Sequence, residues 1–293
     1  MSTSPPLVSI VMNCFNGAQF LKQAIDSVYS QSFTDWEIVF WDNASTDQSA
    51  GIARSYNDGR LNYFRGNKTI PLGAARKQAL KKCRGRYIAF LDCDDLYFPD
   101  KIEKQVTLMK QGEYGLVYGG VVYIDQNGDE TGKREIKKKS GEIFCALLFH
   151  YDVNMQTVML DRKLFDSGCV FNSDLFFSPD YDLFLEASYL FPVGVVKEPI
   201  CRYRIHQGSL TRKSLKLVGD EGHFTLERLK DKYPGIKQKY WLAFRWANAT
   251  YDFQQAVYHL SENEPDRAVK HLIGNFFFHP KSLVVLALIK AGV

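Results

Sequence analysis

The chain has 293 residues, 45% hydrophobic and 24% charged, with a formal net charge of +4. That length holds one large or two modest domains with a substantial core. So mild a positive balance does not argue for nucleic-acid binding, which needs a concentrated basic face, and it suits anionic ligands or an anionic membrane surface. The six cysteines form no Cys-x-x-Cys pair, so a zinc ribbon or redox motif is not expected, and buried thiols of a reduced cytosolic protein are. Met1 to Pro6 lack the basic flank and apolar core of a signal peptide. The apolar run 283–289 is far shorter than the ~20 residues that span a bilayer. A soluble or peripheral protein follows.

Leu7 to Asn13 is a β-rich run that ends in the turn Cys14-Phe-Asn-Gly17. Helical spacing follows, with Phe20, Leu21, Ala24, Ile25 and Val28 on one face. Trp36 to Trp41 reads as a second strand and halts at Asp42-Asn-Ala-Ser-Thr-Asp47, a stretch of turn and cap residues. The next helix runs through Ala50, Ile52, Ala53 and Tyr56, with Asp47 as its N-cap. Leu61 to Phe64 is a short third strand, Gly66 to Gly73 a loop, and Ala74 to Cys83 a helix. Strands alternating with helices predict a parallel sheet of right-handed crossovers. Neither a Gly-x-Gly-x-x-Gly after the first strand nor a Gly-x-x-x-x-Gly-Lys-Ser/Thr occurs, so a nucleotide here would be held by side chains at strand ends.

The fourth strand, Tyr87 to Leu91, drives into Asp92, Asp94 and Asp95. Ligands of open α/β sheets bind beyond the carboxyl ends of such strands. Crowded carboxylates repel and stay ionised with a cation between them, and hard oxygen ligands suit Mg²⁺ or Mn²⁺ on a diphosphate. The plainer alternative makes Asp94 and Asp95 caps of the helix that Pro99 and Asp100 open. Beyond residue 101 come a helix (Ile102, Val106, Met109), a long strand over 115–124, a turn at 125–129 and a charged, exposed segment from Lys133 to Lys139. From Leu215 to Val293 the pattern is almost wholly helical, broken at Pro234, Pro265 and Pro280.

Six stretches, in order, resemble an inverting family 2 glycosyltransferase. Val8 to Asn16 is similar to the opening strand and turn, and Trp41 to Asp47 to the second strand end. Gly73-Ala-Ala-Arg76 is similar to a Gly-x-Ala-Arg-Asn segment, with Lys77 in place of Asn. Phe90 to Asp95 resembles the Asp-x-Asp signature, and Ser178-Pro-Asp-Tyr-Asp-Leu-Phe-Leu185 the later Glu-Asp-Tyr-Asp segment. Tyr203-Arg-Ile-His206 resembles the stretch that closes the site.

The resemblance implies a GT-A fold, α/β and Rossmann-like with a mainly parallel central sheet, over residues 1–212. Its nucleotide-sugar half is about 7–110 and its acceptor half about 111–212, and a helical region fills 213–293. It implies a nucleotide-sugar donor held by Asn13, Phe15, Asn16, Asp42, Arg76, Asp92, Asp94 and Arg204. Asp42 would meet the imide of uracil or thymine, although a strand-end Asx turn would also use it. Asp94, Asp92 and His206 would hold the divalent metal, Mn²⁺ or Mg²⁺. Asp180 is implied as the base. Asp182, two residues on and ~200° around a helix, competes and would point to solvent or a structural partner. The supporting Glu is replaced by Pro179. Arg202 or Arg204, with Ser209 and Thr211, would cover the diphosphate on a closing loop.

The implied acceptor is a saccharide or a lipid-linked sugar, and the implied place is the cytoplasm at the inner face of its membrane. Trp241, Phe244, Trp246 and Phe276 to Phe278, with His279 and Lys281, either pack as core or form an interfacial patch. A homodimer is compatible with the sequence. Arg245-Trp246 lacks the Gln of a processive synthase's Gln-x-x-Arg-Trp, so single-sugar transfer is expected. Two rivals stand: a non-catalytic nucleotide-sugar binder, which Pro179 leaves open, and a haloacid-dehalogenase-type phosphohydrolase. The latter carries its Asp-x-Asp on the first strand.

Overall fold

The computed structural model describes residues 4–208 and 215–273, with 277–278, 281–282 and 285–286. The expected places of Ser209, Thr211, Phe276 and His279 lie outside the described residues.

The first half alternates as its periodicity predicts. β1 (Val8–Cys14) leads to α1 (Ala18–Tyr29), β2 (Trp36–Asp42) to α2 (Ser49–Arg54), and β3 (Leu61–Arg65) to α3 (Leu72–Leu80) and β4 (Tyr87–Phe90). α1 buries the predicted stripe of Phe20, Leu21, Ala24, Ile25 and Val28. α2 ends at Arg54, short of Tyr56, whose hydroxyl instead donates to Asp26 on α1 at 2.6 Å. These four strands pair in parallel in the order β3-β2-β1-β4.

The second half is mixed. β5 (Leu96–Tyr97) and α4 (Lys101–Gln111) precede the long β6 (Leu116–Ile124) and β7 (Glu130–Arg134). α5 (Phe144–Phe149), β8 (Met159–Asp161), α6 (Lys163–Asp166), α7 (Pro179–Leu190) and β9 (Val193–Arg204) follow. The sheet runs on from β4 through β8, β6 and β9 to β5. β6 and β9 are parallel, whereas β8 and β5 pair antiparallel with their neighbours. Asp94 and Asp95 therefore precede a short strand rather than cap a helix. The segment 133–139 is largely exposed, as expected, but it is tied down at three points. Lys133 and Arg134 finish a hairpin with β6, Ile136 is buried, and Lys138 pairs with Asp152 at 2.9 Å.

Because side chains alternate along a strand, β1 sends Val8, Ile10 and Met12 to one face and Val11 to the other. The first face packs on α1 and α4. The other packs on α3, α5, α7 and the C-terminal helices α8 (Leu215–Lys232), α9 (Ile236–Lys239) and α10 (Trp241–Ser261). α11 (Pro265–Ile273) follows. Pro234 and Pro265 stand at the expected breaks, and no helix among the described residues is long and apolar enough to cross a membrane.

Candidate active site

One large cleft, about 1520 Å³, opens at the carboxyl ends of β1 and β4 and continues between α5, α7, α8 and α10. Asn13, Phe15, Asn16, Arg76, Asp92, Asp94, Asp180 and His206 all line it.

The β1 turn is built by side chains from the β2 end. Asn16 sits at φ 52°, a left-handed conformation that asparagine tolerates. It is held there by its N–H donating to Ser45 Oγ at 3.0 Å and its Oδ1 accepting from Thr46 N at 2.8 Å. Asp47 accepts from Ala18 N at 3.0 Å and Ser49 N at 2.9 Å, so it ties the starts of α1 and α2 together. Phe15 is left half exposed over the cleft, and the buried Nδ2 of Asn13 has no hydrogen-bond partner.

Asp42 departs from expectation. It is fully buried and absent from the cleft wall. Its carboxylate accepts from Ser45 N at 2.7 Å, Tyr63 Oη at 2.5 Å and Arg65 Nη1 at 3.2 Å. The Asx turn has taken it, and no oxygen is turned to a base. The next residue, Asn43, lines the cleft in its stead, clasping Ile70 through Nδ2 to the carbonyl at 2.8 Å and Oδ1 to the amide at 3.2 Å.

Arg204 also departs. It is buried at the end of β9 and does not line the cleft. Its Nε donates to the Asp94 carbonyl at 2.9 Å, its Nη1 to the Asp125 carbonyl at 3.2 Å and its Nη2 to Gln23 Oε1 at 2.8 Å. Its own N–H donates to Asp95 Oδ1 at 2.8 Å. So it shapes the carboxylate loop instead of meeting a phosphate. Arg202 lies over the Phe98 ring at 4.5 Å and is likewise absent from the cleft wall.

α3 carries Arg76 to the centre. Gly73 lets the helix enter against the chain at Asn172, where a Cβ would lie 2.2 Å from the Asn172 carbonyl oxygen. Arg76 is buried, with Nη2 3.5 Å from Asp92 Oδ1 and Nη1 3.8 Å from Asp180 Oδ1. Nη1 makes no hydrogen bond. Burial pushes the Asp92 and Asp180 carboxyls up, and Arg76 opposes it at both. Asp95, buried beside Asp94 and Asp92, is pushed well up, and its Oδ2 has no partner.

Asp94 Oδ2 lies 2.9 Å from His206 Nε2. The Gly208 N–H points at His206 Nδ1 at 3.2 Å, and Nε2 is the ring nitrogen that faces Asp94. Among the described residues no three His, Cys, Asp or Glu side chains converge on a ready-made metal cage. Mg²⁺ and Mn²⁺ do not require one, since one or two carboxylates complete the shell with phosphate oxygens and water. Asp94, a third exposed, is an oxygen donor open to the cleft, so the donor set fits such an ion.

Asp180 stands in the first turn of α7, behind Ser178. With Pro179 in place of the expected Glu, a carboxylate arrives from α8. Glu221 accepts from Phe176 N at 2.9 Å, Phe177 N at 3.1 Å, Ser178 N at 2.7 Å and Ser178 Oγ at 3.0 Å. No local motif marks Glu221, because it is a long-range partner inside a helical pattern. Asp182 is buried and paired with Arg228 at 2.7 Å, the structural partner its helical position predicts.

A sequence model of glycosyl transferase family 2 matches residues 9–168. A UDP-Glc:alpha-D-GlcNAc-diphosphoundecaprenol beta-1,3-glucosyltransferase of Escherichia coli is 29% identical over 212 residues, 72% of this chain and 81% of that one. Residues 1–349 of S. aureus TarS, in complex with UDP-GlcNAc, superpose with a TM-score of 0.62 at 16% identity, over 92% of this chain and 91% of that one. The mannosyltransferase PcManGT of Pyrobaculum calidifontis, in complex with GDP-Man and Mn²⁺, gives 0.59 at 15% identity, over 99% and 77%. The two solved structures show the fold, and the family match spans more than half of the sequence. The chain belongs to glycosyl transferase family 2, a glycosyltransferase with the GT-A fold.

Proposed function

We propose that the protein moves one sugar from a nucleotide-diphosphate donor to an acceptor hydroxyl with inversion, in surface polysaccharide or glycoconjugate synthesis. UDP is the favoured nucleotide. With Asp42 withdrawn from the cleft, that preference rests on the similar proteins whose names carry UDP-Glc and UDP-GlcNAc, and dTDP is the nearest competitor. The observation that carries the reading is Arg76, whose guanidinium lies between Asp92 and Asp180. One cation thus couples the diphosphate end of the cleft to the base.

Asp180 takes the proton of the acceptor hydroxyl as its oxygen attacks the anomeric carbon. The bond from that carbon to the diphosphate breaks, and the nucleotide leaves with the electron pair. Burial raises Asp180's basicity, and Arg76 opposes that rise. Asp94, with Asp92 and His206, would hold Mn²⁺ or Mg²⁺, which neutralises charge developing on the leaving diphosphate. Arg76 Nη1, without a hydrogen bond, is free to donate to a phosphate oxygen. The acceptor end of the cleft is lined by Leu147, Leu148, Phe149, Phe176 and Tyr251. These apolar side chains, interleaved with His150, Asn154 and Gln254, suit a saccharide carried on a lipid, the class named for the E. coli relative.

Calorimetric titration of UDP, dTDP and GDP, with and without Mn²⁺, on wild type and Asp94→Ala tests the donor site. Metal-dependent binding of UDP, lost in the variant, is expected. Absence of binding by any nucleotide overturns the reading. Asp180→Asn should keep UDP affinity within about twofold and lose turnover by ~10³-fold, in the range of general-base losses. Retained turnover would move the base elsewhere.

A further inference from the structure

The start of α10 presents an exposed apolar edge that the cleft does not use. Trp241 is 59% exposed and Leu242 is 44% exposed. Three exposed cations stand with them, Lys237, Lys239 and Arg245. Arg245 lies over the Phe278 ring at 5.2 Å, which brings in the neighbouring Phe277, 82% exposed. From Tyr233 to Tyr251 the sequence has three cations and no acid, and from Ile273 to Val293 it has two lysines and no acid. Tryptophan beside leucine and phenylalanine, ringed by lysine and arginine, is the composition of an interfacial membrane contact.

Its position matters as much as its chemistry. Trp246, one turn along α10, packs edge-on against Phe149 at 5.8 Å, and Phe149 belongs to the acceptor wall of the cleft. The patch and the mouth of the cleft are therefore continuous.

We propose that Trp241, Leu242 and Phe277, with Lys237, Lys239 and Arg245, dock the protein on an anionic phospholipid surface, with the acceptor end of the cleft beside the bilayer. The second clause rests on the lipid-linked acceptor proposed above. The first does not. A water-soluble enzyme with this patch reads lipid charge before it reads its acceptor, because each cation near an anionic surface strengthens binding by about fivefold.

The test is co-sedimentation of the full chain with vesicles of phosphatidylglycerol and phosphatidylcholine mixed, against phosphatidylcholine alone. Binding to the anionic vesicles, weakened by salt, is expected. K237Q/K239Q should weaken it by roughly 25-fold, two cations at about fivefold each. W241E/L242E should abolish it, with an unchanged melting temperature and unchanged UDP affinity. Equal binding to both vesicles, or none to either, overturns the proposal. So does a wild-type dimer in light scattering that W241E/L242E dissolves, since the patch would then belong to a second copy. Transfer to a soluble acceptor without vesicle binding would sink the docking and spare the enzyme. Vesicle binding by a chain that binds no nucleotide would do the reverse.

Discussion

Glu221 gives the sharpest test of how the candidate base is held. Replacing it with alanine strips the acceptors from three main-chain amides, 176 to 178, and from the Ser178 hydroxyl. Hydrogen bonds to a charged acceptor contribute about 1.5–3 kcal/mol each. Their sum is not the expected loss, because the segment borders the cleft and water can satisfy part of it; about 2–4 kcal/mol is. Asp180 sits two residues beyond Ser178, so relaxation of this segment moves the base relative to Arg76. A displacement of about 1 Å costs on the order of 10² in rate. Turnover of Glu221→Ala should fall about 100-fold, with UDP affinity by calorimetry within about twofold of wild type. Glu221→Gln keeps one acceptor oxygen but turns an amide donor toward N–H groups, so it should recover only part of the rate. If UDP affinity falls as far as turnover, or if neither turnover nor melting temperature changes, Glu221 does not position Asp180.

Gly73→Ala should lower stability by about 1–3 kcal/mol, the range for overpacking, and weaken UDP binding, since the new Cβ meets main chain at Asn172 and pushes out the helix that carries Arg76. Unchanged binding would show that α3 adjusts without moving Arg76. Lys101 is fully buried against Gln105 and the Tyr97 ring, and burial pushes its amine down to about 8 from 10.5. The unfolded chain then holds that proton more tightly, so the native state is penalised at every pH below 8 and recovers as pH rises from 8 to 10.5. Lys101→Met should therefore stabilise at pH 7 by about 1–3 kcal/mol, at 1.36 kcal/mol per pH unit, and by much less at pH 10. Urea unfolding at both values checks it, and a gain independent of pH would refute the burial argument.

The cleft lining at the carboxyl ends of β1 and β4 was legible because its sequence pattern is local. Asn13, Phe15, Asn16, Asp92 and Asp94 end strands whose apolar runs are unmistakable, and a strand end fixes where its next side chains emerge. Asp42 is buried off the cleft, and Asn43 lines it instead. Successive side chains at a strand end turn opposite ways, so the acid went inward and Asn43 outward. Arg204 shares a strand face with Arg202, but a face does not reveal depth. Arg204 reaches three segments that sequence distance had kept apart: the carboxylate loop, the turn at 125–126 and α1. Glu221 was invisible for a related reason: periodicity assigns it to a helix, and nothing in that period says three amides forty residues earlier lack an acceptor. The strand at 130–134 was hidden by its charge, since an edge strand exposed on both sides shows no apolar alternation.

The Arg204 contacts also bear on the order in which the molecule can mature. The carboxylate loop follows β4 and is synthesised early, yet the groups that fix its shape lie 109 and 110 residues later. Domains of a growing chain fold as their parts emerge, at about 5–20 residues per second. A nascent chain that has released β1 to β4 already has its parallel sheet, but its acidic loop waits several seconds for the last strand to clear the ribosome. The proposed capacity to hold a metal–nucleotide would thus be acquired when β9 docks and not when the sheet forms. Nucleotide protection in a translation-arrest series would switch on past residue 204 rather than near residue 110.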